Sequence, residues 1–354
     1  MSLDYKQNTN LFEFDYLKCL RTDYFHNDCK ECLDICPEDA IGFVRGRLRL
    51  LEDKCTNCAV CIGVCPSEAL SVEFFDPDSY IVEAAQKDSL KLSCKEETPC
   101  LSVFDVHHFI SGALRCGEII CDLSHCAECN LNIEGKTFES INERIEEAKS
   151  FIEALGVDAV IKTESGEKHK ERRAFFKKIF TAAKELSREN NDLKSLQNAV
   201  NRVPVKHTIL KNSIKQNIES IQNTQINRNF SFIRDKEISY DLCDNCGECV
   251  QFCPTDALFY ASEGTSIWFM SGKCIACGIC NDICKPGAVS DKEGFDLVEF
   301  AFDRGKELVR HKLEICRECR TPFPYKSGEL LCQRCKEFAH KYEDIFKLAS
   351  DIED

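Results

Sequence analysis

The most regular hydrophobic pattern in the chain lies in its middle third and predicts an amphipathic helix over Thr137–Leu155. Apolar residues recur there at steps of three and four positions, namely at Phe138, Ile141, Ile145, Ala148, Ile152 and Leu155. A single apolar stripe at this spacing is typical of a helix that packs one face on a core. Gly156 follows at once, and glycine commonly ends a helix because it tolerates the left-handed conformation.

Shorter apolar segments surround this helix and predict a small α/β unit over residues 76–165. Leu90–Cys94, Ile119–Leu123 and Val157–Lys162 have the length and apolar content of buried strands, and Val106–Leu114 has a helical pattern. Strands that alternate with helices are typical of a mostly parallel sheet. Other helical patterns lie outside this unit and cover Arg172–Leu186, Leu210–Ile221, Leu297–Leu313 and Lys336–Ala349.

Composition narrows the class of protein. The 354 residues include 26 Cys but only 8 His and 2 Met, and the formal net charge is -14. The longest stretch without a charged residue, Cys55–Ser67, has 13 residues, whereas a membrane helix needs roughly 20. Met1–Asn10 has no apolar segment of the kind found in a signal peptide. We therefore expect a cytoplasmic protein without membrane insertion, whose thiols bind metal rather than form disulfides.

The charge is distributed unevenly along the chain. Residues 166–215 hold 13 Lys and Arg against 5 Asp and Glu, a local net charge of +8 that leaves -22 on the remainder. Asn and Gln then dominate, so residues 166–235 are predicted to form a basic helical linker. Nucleic-acid binding depends on neutralising phosphates with cations, and the acidic remainder argues against such a partner.

Two Cys-rich blocks, residues 19–75 and 243–290, repeat one ligand pattern. Complete C-x2-C-x2-C-x3-C-P runs begin at Cys55 and Cys243, and closely related runs begin at Cys29 and Cys274. In such a run, three thiolates hold three corners of one [4Fe-4S] cube, and the fourth Cys ligates the cube of the other run. The modules are short, so metal rather than apolar side chains is expected to fill much of their interior.

Both blocks resemble bacterial-type 2[4Fe-4S] ferredoxins, over about 110 of the 354 residues. The resemblance implies two ferredoxin domains, residues 1–75 and 236–295, with two cubane clusters in each. Carried over by position, it implies four ligand sets: site 1 (Cys29, Cys32, Cys65 and a fourth ligand), site 2 (Cys36, Cys55, Cys58, Cys61), site 3 (Cys243, Cys246, Cys249, Cys284) and site 4 (Cys253, Cys274, Cys277, Cys280). Lys285 separates Cys284 from Pro286, which shifts the turn there without removing the ligand.

The fourth ligand of site 1 is left open by the pattern. His26 occupies the position where the first Cys of the run is expected, and Cys19 lies seven residues further upstream. Either Cys19 reaches in over a loop, or His26 is the ligand, or the cluster lacks one iron. Thiolate is the usual ligand of a cubane iron and His would raise the cluster potential, so ligand preference favours Cys19.

The middle α/β unit contains a further group of cysteines. Cys94 and the Cys126–Cys129 pair each follow a predicted strand. Because the carboxyl ends of parallel strands lie at one edge of the sheet, where ligands commonly bind, we expect these cysteines to lie close together. Thr98-Pro99-Cys100, Gly117, His125-Cys126, Cys129 and the long helix after them resemble the delta subunit of methyl-viologen-reducing hydrogenases over about 70 residues. The resemblance implies an iron–sulfur site that passes electrons to a reductase partner. We expect an iron–sulfur or zinc centre here, the middle site (Cys94, Cys100, Cys126, Cys129), with Cys116 and Cys121 as core residues.

A last group of four cysteines, the knuckle, lies near the C-terminus. Its two C-x2-C pairs, Cys316–Cys319 and Cys332–Cys335, are separated by 12 residues. Four cysteines at this spacing usually bind a structural zinc ion. An iron rubredoxin site is the alternative, but Arg320 and Lys336 stand where that site has glycines. We expect zinc, which would stabilise a segment with little core of its own.

Together these patterns predict an α+β multidomain fold. Two ferredoxin-type dicluster domains flank a small α/β domain and a helical linker, and a helical zinc-knuckle segment, residues 296–354, closes the chain. The predicted function is that of a polyferredoxin, which relays single electrons between clusters and has no catalytic site of its own. Its expected partner is a larger oxidoreductase such as a hydrogenase or formate dehydrogenase. Two alternatives stay open: an accessory protein for metalloenzyme maturation, and a nucleic-acid-binding iron–sulfur protein.

Overall fold

The structure, a computed structural model, describes residues 11–44, 47–84, 89–165, 202–261 and 264–342.

The first Cys-rich block is built from very short elements. The elements of this block are β1 (Phe12–Phe14), α1 (Leu20–Asp23), α2 (Glu31–Asp34), β2 (Ile41–Val44), β3 (Arg47–Leu50) and β4 (Leu70–Val72). β1 pairs with β4 and β2 with β3, and both pairs are antiparallel. Isolated two-stranded pairs are at best marginally stable, so whatever occupies the space between them must help to hold the block together.

The middle unit has the α/β arrangement that the hydrophobic pattern predicts. Its elements are α3 (Pro77–Ala84), β5 (Ser89–Ser93), α4 (Val106–Cys116), β6 (Glu118–Asp122), α5 (Lys136–Leu155) and β7 (Val160–Glu164). β6 lies between β5 and β7 and pairs with both in parallel. The apolar stripe of α5 is buried at Ile141, Ile145 and Leu155, and Gly156 ends the helix at a φ of 67°. The prediction of a parallel sheet is confirmed, with strand ends displaced by one to three residues.

The part of the predicted linker that the structure describes is packed into the core. α6 (Val205–Gln216) lies against α4 and buries Ile209, Leu210 and Ile214. A single apolar core therefore runs from the first block through the α/β unit to α6. The predicted helix over Arg172–Leu186 and most of the basic segment lie outside the described residues.

The second Cys-rich block repeats the arrangement of the first. Its elements are β8 (Gln225–Ile226), β9 (Asp235–Ile238), α7 (Glu248–Gln251), β10 (Leu258–Ala261), β11 (Ser266–Met270), α8 (Ile279–Ile283) and β12 (Val289–Lys292). β9 pairs with β12 and β10 with β11, both antiparallel, as β1 pairs with β4 and β2 with β3. This block has an apolar core of its own.

The predicted helix over Leu297–Leu313 is wrong beyond Ala301. The segment instead forms β13 (Phe295–Asp296), α9 (Leu297–Ala301), β14 (Gly305–Arg310), β15 (Leu313–Ile315), β16 (Pro322–Pro324) and α10 (Gln333–Lys341). Asp296 caps α9 by accepting N–H bonds from Val298 and Glu299 at 2.7 and 2.9 Å. β14 then joins β11 as a third antiparallel strand, and this pairing overrides the helical tendency of its charged residues. α10 begins three residues before the predicted Lys336.

Candidate metal centres

Four cysteines of the first block face one cavity at site 2. Cys36, Cys55, Cys58 and Cys61 line it, and the cavity measures about 300 Å³ including its open mouth. Burial, and then the charges of neighbouring thiolates, raise the pKa of Cys61 well above its ordinary value. Buried like charges are tolerated only when a cation or cluster compensates them. The donor set, its cavity and its mutual repulsion therefore fit a cluster with four cysteine ligands.

The loops that carry the ligands have an unusual backbone. In the Cys55 run, Asn57 and Ala59 have φ values of 55° and 62°. The same left-handed pair recurs in the second block at Asn245 with Gly247, and at Ala276 with Gly278. A left-handed non-glycine residue costs roughly 1–2 kcal/mol, so the repetition indicates a loop shape imposed by what the loop encloses. The Cys29 run, where His26 stands in place of the expected first cysteine, lacks this pair.

Cys19 interacts electrostatically with two other cysteines of site 1, Cys29 and Cys65. The charge of Cys65 raises the pKa of Cys19, behind the larger effect of burial. Burial and the charges of Cys65 and Cys19 likewise raise the pKa of Cys29, to about 11. Arg21 fastens this segment by donating to the Cys29 carbonyl at 3.2 Å. His26 is exposed and has its ring against the rings of Tyr24 and Phe25.

The second block shows the same exchange of ligands between runs. Cys284, from the second run, lines a cavity with Cys243, Cys246 and Cys249 of the first. Burial is the largest cause of the raised thiol pKa values in site 4, and the charge of Cys253 adds to it at both Cys277 and Cys280. Cys284 thus shares a cavity with three cysteines of the other run, as Cys36 does in the first block.

Backbone N–H groups point at the crossing sulfurs. Ala40, Ala69 and Ala288 donate to the Sγ atoms of Cys36, Cys65 and Cys284 at 3.3, 3.3 and 3.2 Å. Each donor lies four residues after its cysteine. This spacing holds also for Cys284, which Lys285 separates from the proline. Such bonds stabilise negative charge on sulfur and raise the potential of a cluster.

Two buried lysines lie beside the sites, and no pattern in the sequence predicts either. Lys206, 2% exposed, pairs with Asp105 and donates to the carbonyl of Cys65 in site 1, both at 2.6 Å. Lys236, also 2% exposed, donates to Asn281 at 2.7 Å and pairs with Asp291. Burial alone would lower the pKa of Lys236, but the charge of Cys280 in site 4 raises it, so the side chain stays cationic.

The four cysteines of the middle site come together at the sheet edge. Cys94 follows β5 and the Cys126–Cys129 pair follows β6, both at the carboxyl ends of parallel strands. Burial, followed by the charges of Cys126, Cys129 and Cys94, raises the pKa of Cys100 to about 12. Cys116 and Cys121 lie apart as buried core residues, the former donating to the Ala84 carbonyl at 3.3 Å.

The middle site adjoins site 2 through the segment that follows Cys100. Ser102 donates to the carbonyl of Val60, between two ligands of site 2, at 2.7 Å. The backbones approach so closely that a Cβ on Gly63 would come within 2.3 Å of the Ser102 carbonyl oxygen. Arg144 holds the segment from α5 by donating to the same carbonyl at 3.1 Å and to that of Phe104 at 2.5 Å.

The knuckle has the tightest sulfur geometry in the described part of the chain. Its four Sγ atoms all lie within 4.8 Å of one another, and no other group of at least three His, Cys, Asp or Glu there meets this limit. The Sγ atoms of Cys319 and Cys332 are 3.6 Å apart. Burial would raise the pKa of Cys316, but N–H groups of Cys332, Cys319 and Glu318 lower it to about 6, which favours the metal-binding thiolate. The group can hold a single metal ion.

Comparison with known families identifies two parts of the chain. Residues 27–69 and 235–285 each match the 4Fe-4S dicluster domain. The chain therefore contains two 4Fe-4S dicluster domains, which confirms the ferredoxin resemblance and indicates a function in iron–sulfur electron transfer. No curated protein matches the chain significantly. The resemblance of the middle unit to a hydrogenase delta subunit finds no support in these comparisons.

None of the helices in the described ranges combines the length and the apolar character that a bilayer crossing requires.

Proposed function

We propose that this protein is a polyferredoxin that holds four [4Fe-4S] clusters and relays single electrons to or from a larger oxidoreductase, such as a hydrogenase or formate dehydrogenase. The observation that supports the proposal is that Cys36 and Cys284 each line a cavity together with three cysteines of the other run in their block. Two paired [4Fe-4S] clusters exchange ligands between runs in this way, whereas isolated metal ions do not require such an exchange. The clusters supply the redox chemistry. The chain's own residues set their spacing, their potentials and the surface that a partner meets.

The middle site is proposed to hold an additional iron–sulfur cluster rather than zinc. A tetrahedral zinc ion with bonds of about 2.3 Å draws its four sulfurs close together, as in the knuckle. The middle-site sulfurs are not within the 4.8 Å limit that the knuckle meets, and the same holds for sites 1 to 4. Contact with site 2 through Ser102 and Val60 also suits a centre that exchanges electrons with the relay.

The knuckle is proposed to hold one structural zinc ion. It connects β15, β16 and α10, and α10 has no buried side chain. A metal ion would replace the apolar core that this segment lacks.

The predicted domain layout is part of the same proposal. It consists of ferredoxin domains over residues 1–75 and 236–295, the α/β domain over 76–165, the connecting segment over 166–235 and the knuckle segment over 296–354. Within the connecting segment, α6 packs into the core and is not a solvated linker. A cytoplasmic location is proposed because cysteines that bind metal as thiolates, rather than form disulfides, are typical of reducing compartments.

Matched cysteine variants of the full chain test the proposed cluster content. Anaerobically purified protein should hold about 16 iron atoms in sites 1 to 4, four per cube. Cys58→Ala should lower the iron content by up to four atoms per chain and remove one cluster signal from the electron paramagnetic resonance (EPR) spectrum of the reduced protein. Cys121→Ala is the control, because this buried cysteine lies in no ligand set. Equal iron in both variants, or clusters that no low-potential donor reduces, would overturn the proposal.

A further inference from the structure

A small apolar cluster joins the two Cys-rich blocks. Leu20 of α1, 3% exposed, packs with Ile275 and Ile279 of the second block, which are 7% and 0% exposed. The ring of Tyr24 meets the ring of Phe252 edge-on beside them, with centroids 5.9 Å apart. Side chains this well buried define a fixed contact rather than a loose encounter.

Every residue of this contact is next to, or within a few positions of, a proposed cluster ligand. Leu20 follows Cys19 of site 1 directly. Ile275 and Ile279 lie between the ligands of the Cys274 run, and Phe252 immediately precedes the crossing ligand of that set, so all three belong to site 4. The contact therefore brings site 1 against site 4, and none of its residues is directly adjacent in sequence to a ligand of sites 2 or 3.

Helix α6 fixes the same two regions from the side. Near its N-terminus, Lys206 donates to the carbonyl of Cys65 in site 1. One turn later, Lys211 donates to Asp303 at 2.6 Å. Asp303 lies against Gly272, where a Cβ would come within 2.4 Å of the carboxylate, and Gly272 is two residues before Cys274 of site 4. One rigid helix thus spans the backbones of both sites.

We propose that the two dicluster domains form one continuous relay in the order site 2, site 1, site 4, site 3, with electrons crossing between the domains through the Leu20 contact. This inference rests on the proposed function. Cys19, Cys29, Cys32 and Cys65 would hold one of the two clusters at this contact, and Cys253, Cys274, Cys277 and Cys280 would hold the other. These clusters would supply a one-electron oxidation on one side of the contact and a matching one-electron reduction on the other. No bond or proton is transferred. A low-potential one-electron donor would deliver electrons at one end of the relay, and a one-electron acceptor would take them up at the other end.

Spin coupling between the two inner clusters tests this order in the full chain. Two ligands are replaced in each outer site, which leaves sites 1 and 4 filled; the variant carries Cys55→Ala, Cys58→Ala, Cys243→Ala and Cys246→Ala. After full reduction with dithionite, its EPR spectrum should show a coupled pair. The complementary variant keeps only sites 2 and 3 of the four; it carries Cys29→Ala, Cys32→Ala, Cys274→Ala and Cys277→Ala. It should show no coupling between those two clusters.

A contact variant of the otherwise natural chain gives a second, independent result. Leu20→Asp places a charge in the apolar contact and should separate the four-cluster spectrum into two uncoupled dicluster spectra, with the iron content unchanged. Leu17→Asp is the matched control, because Leu17 is 76% exposed three residues earlier, and its spectrum should equal that of the natural chain. If the outer-site variant loses all its iron, the comparison of these two chains decides the question.

The possible failures are distinguishable. Clusters that reduce normally but show no coupling between sites 1 and 4, or a Leu20→Asp spectrum equal to the control, would overturn the docking order and leave the electron-transfer function intact. Clusters that dithionite does not reduce in the natural chain would overturn the proposed function, and the relay with it.

Discussion

The buried ammonium group of Lys236 is expected to raise the reduction potential of the cluster in site 4. Its side chain is 2% exposed, and its nitrogen lies near Cys280, Asn281 and Asp291. Reduction adds one negative charge to the cluster, and a neighbouring cation stabilises that charge. Lys236→Met keeps the length of the side chain and removes its charge, so the potential of this cluster should fall.

The size of the shift follows from Coulomb's law. A unit charge at about 4–6 Å in an effective dielectric of about 20 contributes about 3–4 kcal/mol. Asp291 pairs with Lys236 and cancels part of this field, so we take the net effect as about half of that energy. For a one-electron couple, 59 mV corresponds to about 1.4 kcal/mol, so Lys236→Met should lower the potential by roughly 60–90 mV.

A potentiometric titration followed by EPR measures this shift. The matched control is Lys285→Met, which removes a lysine directly after Cys284 of site 3 whose side chain is 85% exposed. Water and salt screen an exposed charge, so the control should move the potential of its cluster by no more than about 20 mV. A Lys236→Met shift no larger than the control, or a rise in potential, would refute the assignment of Lys236 to the electrostatics of site 4.

Three further predictions concern the ligands. Cys19→Ser should lower the iron content or leave a three-iron centre at site 1, whereas His26→Ala should leave all clusters filled; EPR and iron analysis would show the reverse if His26 were the ligand. Cys36→Ala should remove the signal of the cluster held by the Cys55 run, and an unchanged spectrum of the reduced protein would contradict the crossed ligand sets. Cys332→Ser should release about one zinc ion per chain and no iron, as metal analysis by mass spectrometry can measure; loss of iron instead would make the knuckle a redox centre.

The sequence predicts well those elements whose hydrophobic pattern extends over several turns. The stripe from Phe138 to Leu155 predicts α5 almost to the residue, because several turns of one pattern agree. The segment after Ala301 is predicted wrongly, because the pairing of β14 with β11 is a long-range contact that a local pattern does not contain. The packing of α6 against α4 was missed for the same reason: Lys206 and Lys211 make the segment look like a solvated linker, although both are buried.

For the candidate sites, the spacing of cysteines predicts which sulfurs come together but not their surroundings. Within a run the ligand pattern is local, and the ferredoxin resemblance supplies the crossing cysteine, so the sets at sites 2 and 3 could be predicted and reappear around the two cavities. The position of Cys19 depends on a loop whose length permits several closures. Lys236 is one polar residue in the short strand Asp235–Ile238, and only the folded chain places its ammonium group beside Cys280.

The most direct test of the central claim is to count the electrons that the intact, anaerobically purified chain accepts. Coulometric titration with a low-potential donor should take up about four electrons per chain in sites 1 to 4, one for each cubane. Mössbauer spectra should show the corresponding iron in the reduced cubane state, and the middle site should accept about one electron more if it holds a cluster. An uptake of two electrons or fewer by protein that contains its full iron would contradict the account, because the crossed cysteine sets would then not form four redox-active clusters.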